Sequence, residues 1–186
     1  MEELEQDGAA SFYFVDGPCK AVPPDGFAKF FGAPPYYRFI EPDDPTAKVD
    51  ENDMLMRIRD FPDCETPEET MRELLWGGGA ETHKSIDNAM KFLINIMETK
   101  GPFDAVFGYS EGATVAATLL FHEQKRFETK GITPMLKYAL FFAGWPPMDP
   151  ETHVMLLSDM TKMRIQIPTC HISKSKPGVL IHGSPS

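Results

Sequence analysis

The stretch that most constrains this chain runs from Phe103 to Leu120: Phe-Asp-Ala-Val-Phe-Gly-Tyr-Ser-Glu-Gly-Ala-Thr-Val-Ala-Ala-Thr-Leu-Leu. A short apolar run, Ala105 to Phe107, ends at Gly108. After Gly112 the pattern changes to small and apolar residues at helical spacing. Strand, sharp turn and helix with a serine at the turn make the G-x-S-x-G pattern of a nucleophile elbow. In such a turn Ser110 sits in strained backbone with its hydroxyl above the sheet edge. Gly108 and Gly112 are expected to be glycine because a side chain at either place would collide with a neighbouring strand or helix. The N–H of Glu111 is free at the helix start, where the helix dipole favours a developing oxyanion. Ala113, Ala116 and Ala117 let the helix pack closely on the sheet. A plain glycine-bounded turn between a strand and a core helix is the competing reading. The apolar strand before the turn and the helix after it favour the elbow.

Around this stretch the chain alternates strand and helix. Ser11 to Val15 is β-rich and reads as a buried strand closed by Asp16-Gly17-Pro18. Residues 19 to 65 are rich in Pro, Gly, Asp and aromatics, and read as an ordered excursion over the end of the sheet. Thr66-Pro67-Glu68-Glu69 has a cap residue, proline at the first helical position and acids in the first turn, so a helix runs from there to Leu75, and Trp76-Gly-Gly-Gly79 breaks it. Ile86, Met90, Leu93, Ile94 and Met97 repeat on one face of a helix over residues 80 to 100, stopped by Gly101-Pro102. The elbow helix is expected to reach about His122, with Glu123 to Gly131 as a polar connection. Tyr138 to Ala143 reads as a further buried strand, and so does Ile165 to Ile172, which Pro168 pushes towards a sheet edge or a strand beginning. This order predicts an α/β fold with a mostly parallel sheet and a ligand site at the carboxyl ends of its strands, where Ser110 lies.

At 186 residues the simplest organisation is a single domain. A net charge of −10 without a basic stripe argues against nucleic acid and against an anionic membrane surface. The acidic N-terminus is not a signal peptide, and no run is long enough to span a membrane. The three cysteines, Cys19, Cys64 and Cys170, have no metal spacing, which fits a reduced, cytoplasmic protein with no metal. A nucleotide-binding α/β domain fits poorly, because neither G-x-G-x-x-G nor a Walker lysine is present.

Several further segments resemble the FSH-type serine hydrolases, α/β-hydrolases common in fungi. They are Phe14-Val-Asp-Gly-Pro18, Pro35-Tyr-Tyr37, Gly101-Pro-Phe-Asp104 leading into Gly108-Tyr-Ser-Glu-Gly-Ala113, Phe142-Ala-Gly-Trp145 and Ile167-Pro-Thr-Cys-His-Ile172, in that order along the chain. The resemblance implies an α/β-hydrolase-like three-layer sandwich and an esterase or thioesterase, such as those that release polyketides from fungal synthases. It also implies Ser110 as nucleophile, the Glu111 N–H as one oxyanion donor and no cofactor. The substrate would be a small-molecule ester or thioester, including one bound to an acyl carrier. An aromatic loop around Phe30, Phe31, Tyr36 and Tyr37 would bound an apolar acyl pocket.

The family pattern also has parts that this chain lacks. No Leu-His-Gly-like segment precedes Phe14, no acid stands before Pro177, and Glu111 replaces the usual glutamine. The expectation is a single domain over residues 1–186, truncated at both ends, with an incomplete sheet. His182 is the candidate base in the tail. Asp149 and Asp159 read as turn or surface acids, His171 as a core or edge residue, and His83, His122 and His153 as exposed. A catalytically impaired remnant that binds a ligand or partner is the alternative to an active hydrolase.

Overall fold

The computed structural model describes residues 1–22, 28–41, 64–75 and 83–172. In chain order these form α1 (Glu2–Gln6), β1 (Cys19–Ala21), α2 (Ala28–Phe31), β2 (Tyr36–Arg38), α3 (Pro67–Leu75) and α4 (His83–Lys100), then β3 (Ala105–Tyr109), α5 (Glu111–Lys130), β4 (Tyr138–Phe142) and β5 (Thr169–Ile172). β1 and β2 pair antiparallel, whereas β3, β4 and β5 form a parallel sheet with β4 in the middle. The fold is therefore α/β. The register sets Tyr109 beside Phe142 and Phe142 beside Ile172, so the carboxyl ends of all three parallel strands are level.

The core is built around α5. Every residue from Ala113 to Phe121 is buried, so this part of the helix is covered on all sides and does not bury a single stripe. Strand alternation turns Val106, Gly108, Ala139 and Phe141 to one face of the sheet, and Ala139 and Phe141 are buried in the same cluster as Ala113, Ala116 and Ala117. Ile86, Ala89, Met90 and Met97 of α4 belong to that cluster too, as the period of that helix predicts. On the opposite face of the sheet Phe107 and Tyr109 are 46% and 59% exposed, with the Phe107 and Phe142 rings 4.7 Å apart. The sandwich is thus incomplete among the described residues, and Tyr138, 53% exposed, shows that β4 is buried on one face only.

Helix boundaries follow local chemistry. Thr66 Oγ1 accepts the Glu69 N–H at 3.1 Å, as its position before Pro67 predicts. The strand expected from Ile165 is shorter: β5 begins at Thr169, just after Pro168, which has no N–H to give a ladder but whose carbonyl accepts the Ala139 N–H at 3.1 Å.

Helix α5 runs eight residues beyond His122, to Lys130, correcting the expected polar connection. Its second half is held by side chains four residues apart: Gln124 Nε2 donates to Glu128 at 3.0 Å and Thr129 Oγ1 to the Lys125 carbonyl at 2.7 Å. Gly131 ends the helix at φ 66, a left-handed cap conformation that glycine adopts without strain.

Ser11 to Val15 is not a strand. Phe14 is 73% exposed, and among the described residues no strand pairs with this segment. Aromatic and β-branched residues make a strand only where a neighbour completes the ladder. Here Tyr13 instead packs against Phe103, with ring centroids 5.7 Å apart. Trp76 to Gly79, residues 23–27 and 42–63 of the proline-rich excursion, and the tail beyond Ile172 lie outside the described residues.

Buried polar groups on α5 pin the loops around it. Thr114 Oγ1 accepts the Trp145 N–H at 2.9 Å and donates to the Trp145 carbonyl at 3.0 Å. Thr118 Oγ1 accepts the Met148 N–H at 3.0 Å. Glu123, 3% exposed, accepts the Met135 N–H at 2.8 Å on the approach to β4. Burial raises the Glu123 carboxyl above its ordinary 4.5.

The sign of the resulting pH dependence is fixed. A raised acid contributes stability that is full below the unfolded value and lost as pH rises through the folded one. Glu123→Gln should therefore melt higher than the wild type at pH 7 and lose that part of the pH dependence. Glu123→Ala should lose about 1–3 kcal/mol by orphaning the Met135 N–H. Thermal denaturation from pH 5 to 8 checks both; a Gln variant less stable than wild type at pH 7 would contradict the assignment.

Candidate active site

The turn after β3 has the geometry that its sequence predicts. Ser110 adopts φ 53 and ψ −122, a region that costs a non-glycine residue on the order of 1–3 kcal/mol. Main-chain bonds on both sides hold it there. The Ser110 N–H donates to the Phe142 carbonyl at 2.8 Å, and the Ser110 carbonyl accepts the Ala113 N–H at 2.9 Å. Serine at a helix N-cap ordinarily turns its hydroxyl to the first-turn amides, yet here the side chain makes no capping bond and the residue is exposed. Glu111 is the first residue of α5, so its N–H has no carbonyl four residues back to bond.

The two elbow glycines differ. A Cβ at Gly108 would lie 2.5 Å from Ala113 Cα and 2.5 Å from the Gly112 carbonyl oxygen, so helix and strand touch there and only glycine fits. At Gly112 nothing stands within 4 Å. The expected collision is absent because, among the described residues, no strand pairs with the free edge of β3. Across the elbow, a Cβ at Gly144 would lie 2.5 Å from Ala113 Cβ, so the loop after β4 also presses on the first turn of α5.

A second wall reaches the elbow from the N-terminal half. The Glu111 carboxylate accepts the Phe39 N–H at 2.9 Å and the Ile40 N–H at 3.3 Å. Ser85 Oγ of α4 accepts the next amide, Glu41 N–H, at 2.7 Å. Phe39 and Ile40 also pack against the buried core. This segment directly follows β2, which carries Tyr36 and Tyr37, and residues 32 to 35 join β2 to α2, which carries Phe30 and Phe31. The Tyr36 hydroxyl donates to the Gly32 carbonyl. The sequence reading assigned Glu111 only its main-chain amide, and no local sequence signal marks the side-chain partners, which lie 71 and 72 residues away.

The remaining candidates are placed elsewhere. Among the described residues no histidine hydrogen-bonds Ser110. His171 lies on β5, the outermost strand among the described residues, 5.0 Å from the Phe141 ring, with Nε2 3.1 Å from Thr169 Oγ1, and burial lowers its pKa. His153 is not exposed as expected: it is half-buried, and its Nε2 lies 2.9 Å from Asp87 Oδ1. His122, expected to be exposed, is half-buried as well. Burial, then Arg126, lowers its pKa. It lines a cavity of about 260 Å³ with Lys125, Arg126 and Lys130, about 18 Å along the helix from Ser110.

Asp149 is a turn residue, as expected. Burial pushes its carboxyl up, but the Thr152 and Glu151 amides outweigh this and hold it below the usual value. Asp159 pairs with Arg72. His182 and the side chain of His83 lie outside the described residues. Among the described residues no group of three His, Cys, Asp or Glu side chains could hold a metal ion, and no helix is long and apolar enough to cross a membrane.

The family described as serine hydrolase (FSH1) matches residues 1–176, and the chain belongs to it. Hydrolase phiM of Talaromyces stipitatus is 29% identical over 97 residues, covering 51% of this chain and 38% of that protein. Esterase FUS5 of Gibberella fujikuroi is 29% identical over 93 residues, 50% of this chain and 34% of its own length. A rhodanese-like domain-containing protein 6 of Arabidopsis thaliana is 27% identical over 95 residues, 51% of this chain and 15% of its length. The match thus spans little more than a third of either fungal relative. No solved structure matches the chain.

The unequal glycines give a direct test. Gly108→Ala should fail to fold or lose several kcal/mol, because the added methyl meets main chain. Gly112→Ala should be neutral or stabilising by up to about 1 kcal/mol, since it adds a helix-favouring residue in open space. Urea unfolding midpoints compare the two; equal losses would show that the elbow is packed differently.

Proposed function

We propose that the protein is a serine hydrolase that cleaves a carboxylic ester or thioester by acyl transfer through Ser110. The observation that carries the reading is Ser110 itself: a serine at φ 53 whose exposed hydroxyl makes no capping bond. A strained residue freed from the local role its type prefers is held for something else. Membership of a serine hydrolase family and the hydrolase and esterase names of the relatives point the same way.

In this reading Ser110 Oγ attacks the carbonyl carbon as its proton passes to a base. The carbonyl π electrons move onto oxygen, where the Glu111 N–H at the positive end of α5 stabilises the charge. Collapse expels the alcohol or thiol, which takes a proton from the base. Water then attacks the acyl-serine and releases the acid. His182 is the proposed base. It follows Ile172, the residue level with Tyr109 at the carboxyl end of the sheet, by ten residues, and ten residues reach at most about 35 Å. The aromatic wall of Tyr36 and Tyr37 is the proposed border of the acyl site. A second reading, an elbow that binds acyl groups without turnover, is favoured by the absence among the described residues of a histidine bonded to Ser110.

Fluorophosphonate labelling followed by peptide mapping separates the two readings. The hydrolase reading predicts a single adduct on Ser110, lost in Ser110→Ala, and labelling slowed by roughly 10²-fold or more in His182→Ala. A folded wild type that takes no label would leave the non-catalytic reading in its place.

A further inference from the structure

The Glu111 carboxylate has no part in the acyl-transfer steps above, yet it makes the closest polar link between the elbow and the N-terminal half of the chain. Its two oxygens accept two successive main-chain amides, Phe39 N–H at 2.9 Å and Ile40 N–H at 3.3 Å, and Ser85 Oγ takes the third, Glu41 N–H, at 2.7 Å. Three consecutive amides thus end on side chains from two helices, and among the described residues no strand includes residues 39 to 41. A carboxylate suits the task because it accepts at both oxygens, whereas an amide side chain offers one acceptor and turns a donor towards the second N–H. The charge also lies in the first turn of α5, where the helix dipole favours it. The side chain that reaches this wall belongs to the residue whose own amide follows Ser110.

We propose that the Glu111 side chain is a positioning group: it fixes the Tyr36–Glu41 wall beside Ser110 and thereby sets how well the serine accepts long acyl groups. This rests on the reading of Ser110 as nucleophile. Without the carboxylate the Phe39 and Ile40 amides lose their acceptor, and residues 39 to 41 keep, among the described residues, the Ser85 bond, the packing of Phe39 and Ile40 and their chain link to β2, which pairs with β1.

The test measures kcat and KM on p-nitrophenyl acetate and p-nitrophenyl octanoate for the wild type, Glu111→Gln and Glu111→Ala, with amide proton shifts of Phe39 and Ile40 from NMR as a readout independent of chemistry. The expected result is a KM for the octanoate raised on the order of tenfold in the Ala variant, by less in the Gln variant, and a smaller change for the acetate. Both amide protons should move upfield in the Ala variant, and mainly one of them in the Gln variant. Equal changes for the two esters, or none, would overturn the positioning role while leaving Ser110 as nucleophile. If wild-type Ser110 reacts with neither ester, the proposal falls with the reading beneath it, and the amide shifts then report only whether the tether forms. Should Glu111→Ala not fold, the Gln variant alone decides by the same contrast between esters.

Discussion

A helix buried on all sides over nine residues, Ala113 to Phe121, leaves little water for the main chain that passes beside it. Each amide and carbonyl in the neighbouring loops must then find a partner within the protein, because an unpaired buried group costs about as much as a lost hydrogen bond. Helix α5 supplies those partners from its own side chains. Glu111 takes two amides of the segment after β2, Thr114 takes both main-chain groups of Trp145, Thr118 takes Met148 and Glu123 takes Met135. These four polar residues, spread along a helix that otherwise packs alanines, leucines and valine, fix the entry to β4, the exit from it and the wall beside the elbow.

The strained serine depends on the same arrangement. A left-handed φ at Ser110 persists only where the surroundings over-determine it, and two sets of contacts do so. β4 holds its amide through Phe142, while contact at Gly108 and Gly144 presses the first turn of α5 against the strand before the elbow and the loop after β4. The level carboxyl ends of β3, β4 and β5 put the strain at the edge where ligands of parallel α/β sheets bind. Rigid packing at the elbow and polar tethers on its flanks are thus two outcomes of one buried helix.

What the sequence made legible was local. The period of α4, the Thr66-Pro67 helix start, the Pro168 strand start and the G-x-S-x-G turn each depend on residues within a few positions of one another, and each appears as expected. What it hid depends on distant partners. Ser11 to Val15 has strand composition but no neighbour to pair with among the described residues. Gly112 looked as constrained as Gly108, yet only Gly108 meets main chain. The polar second half of α5 read as a connection because its stabilising contacts, the buried Glu123 above all, join residues whose proximity the fold creates. Glu111 was read for its main-chain amide alone; its side chain also ties down a segment some seventy residues earlier.

Native-state hydrogen exchange tests most directly whether α5 and its loops form one unit. The account predicts that the amides of Ile40, Met135, Trp145 and Met148 exchange through the same opening as Val115 to Leu119 in the middle of the helix, with a shared dependence on denaturant. Loop amides that exchange through small, denaturant-independent fluctuations while the helix stays protected would contradict it, and would mean that the wall and the loop after β4 are held by something other than the side chains of this helix.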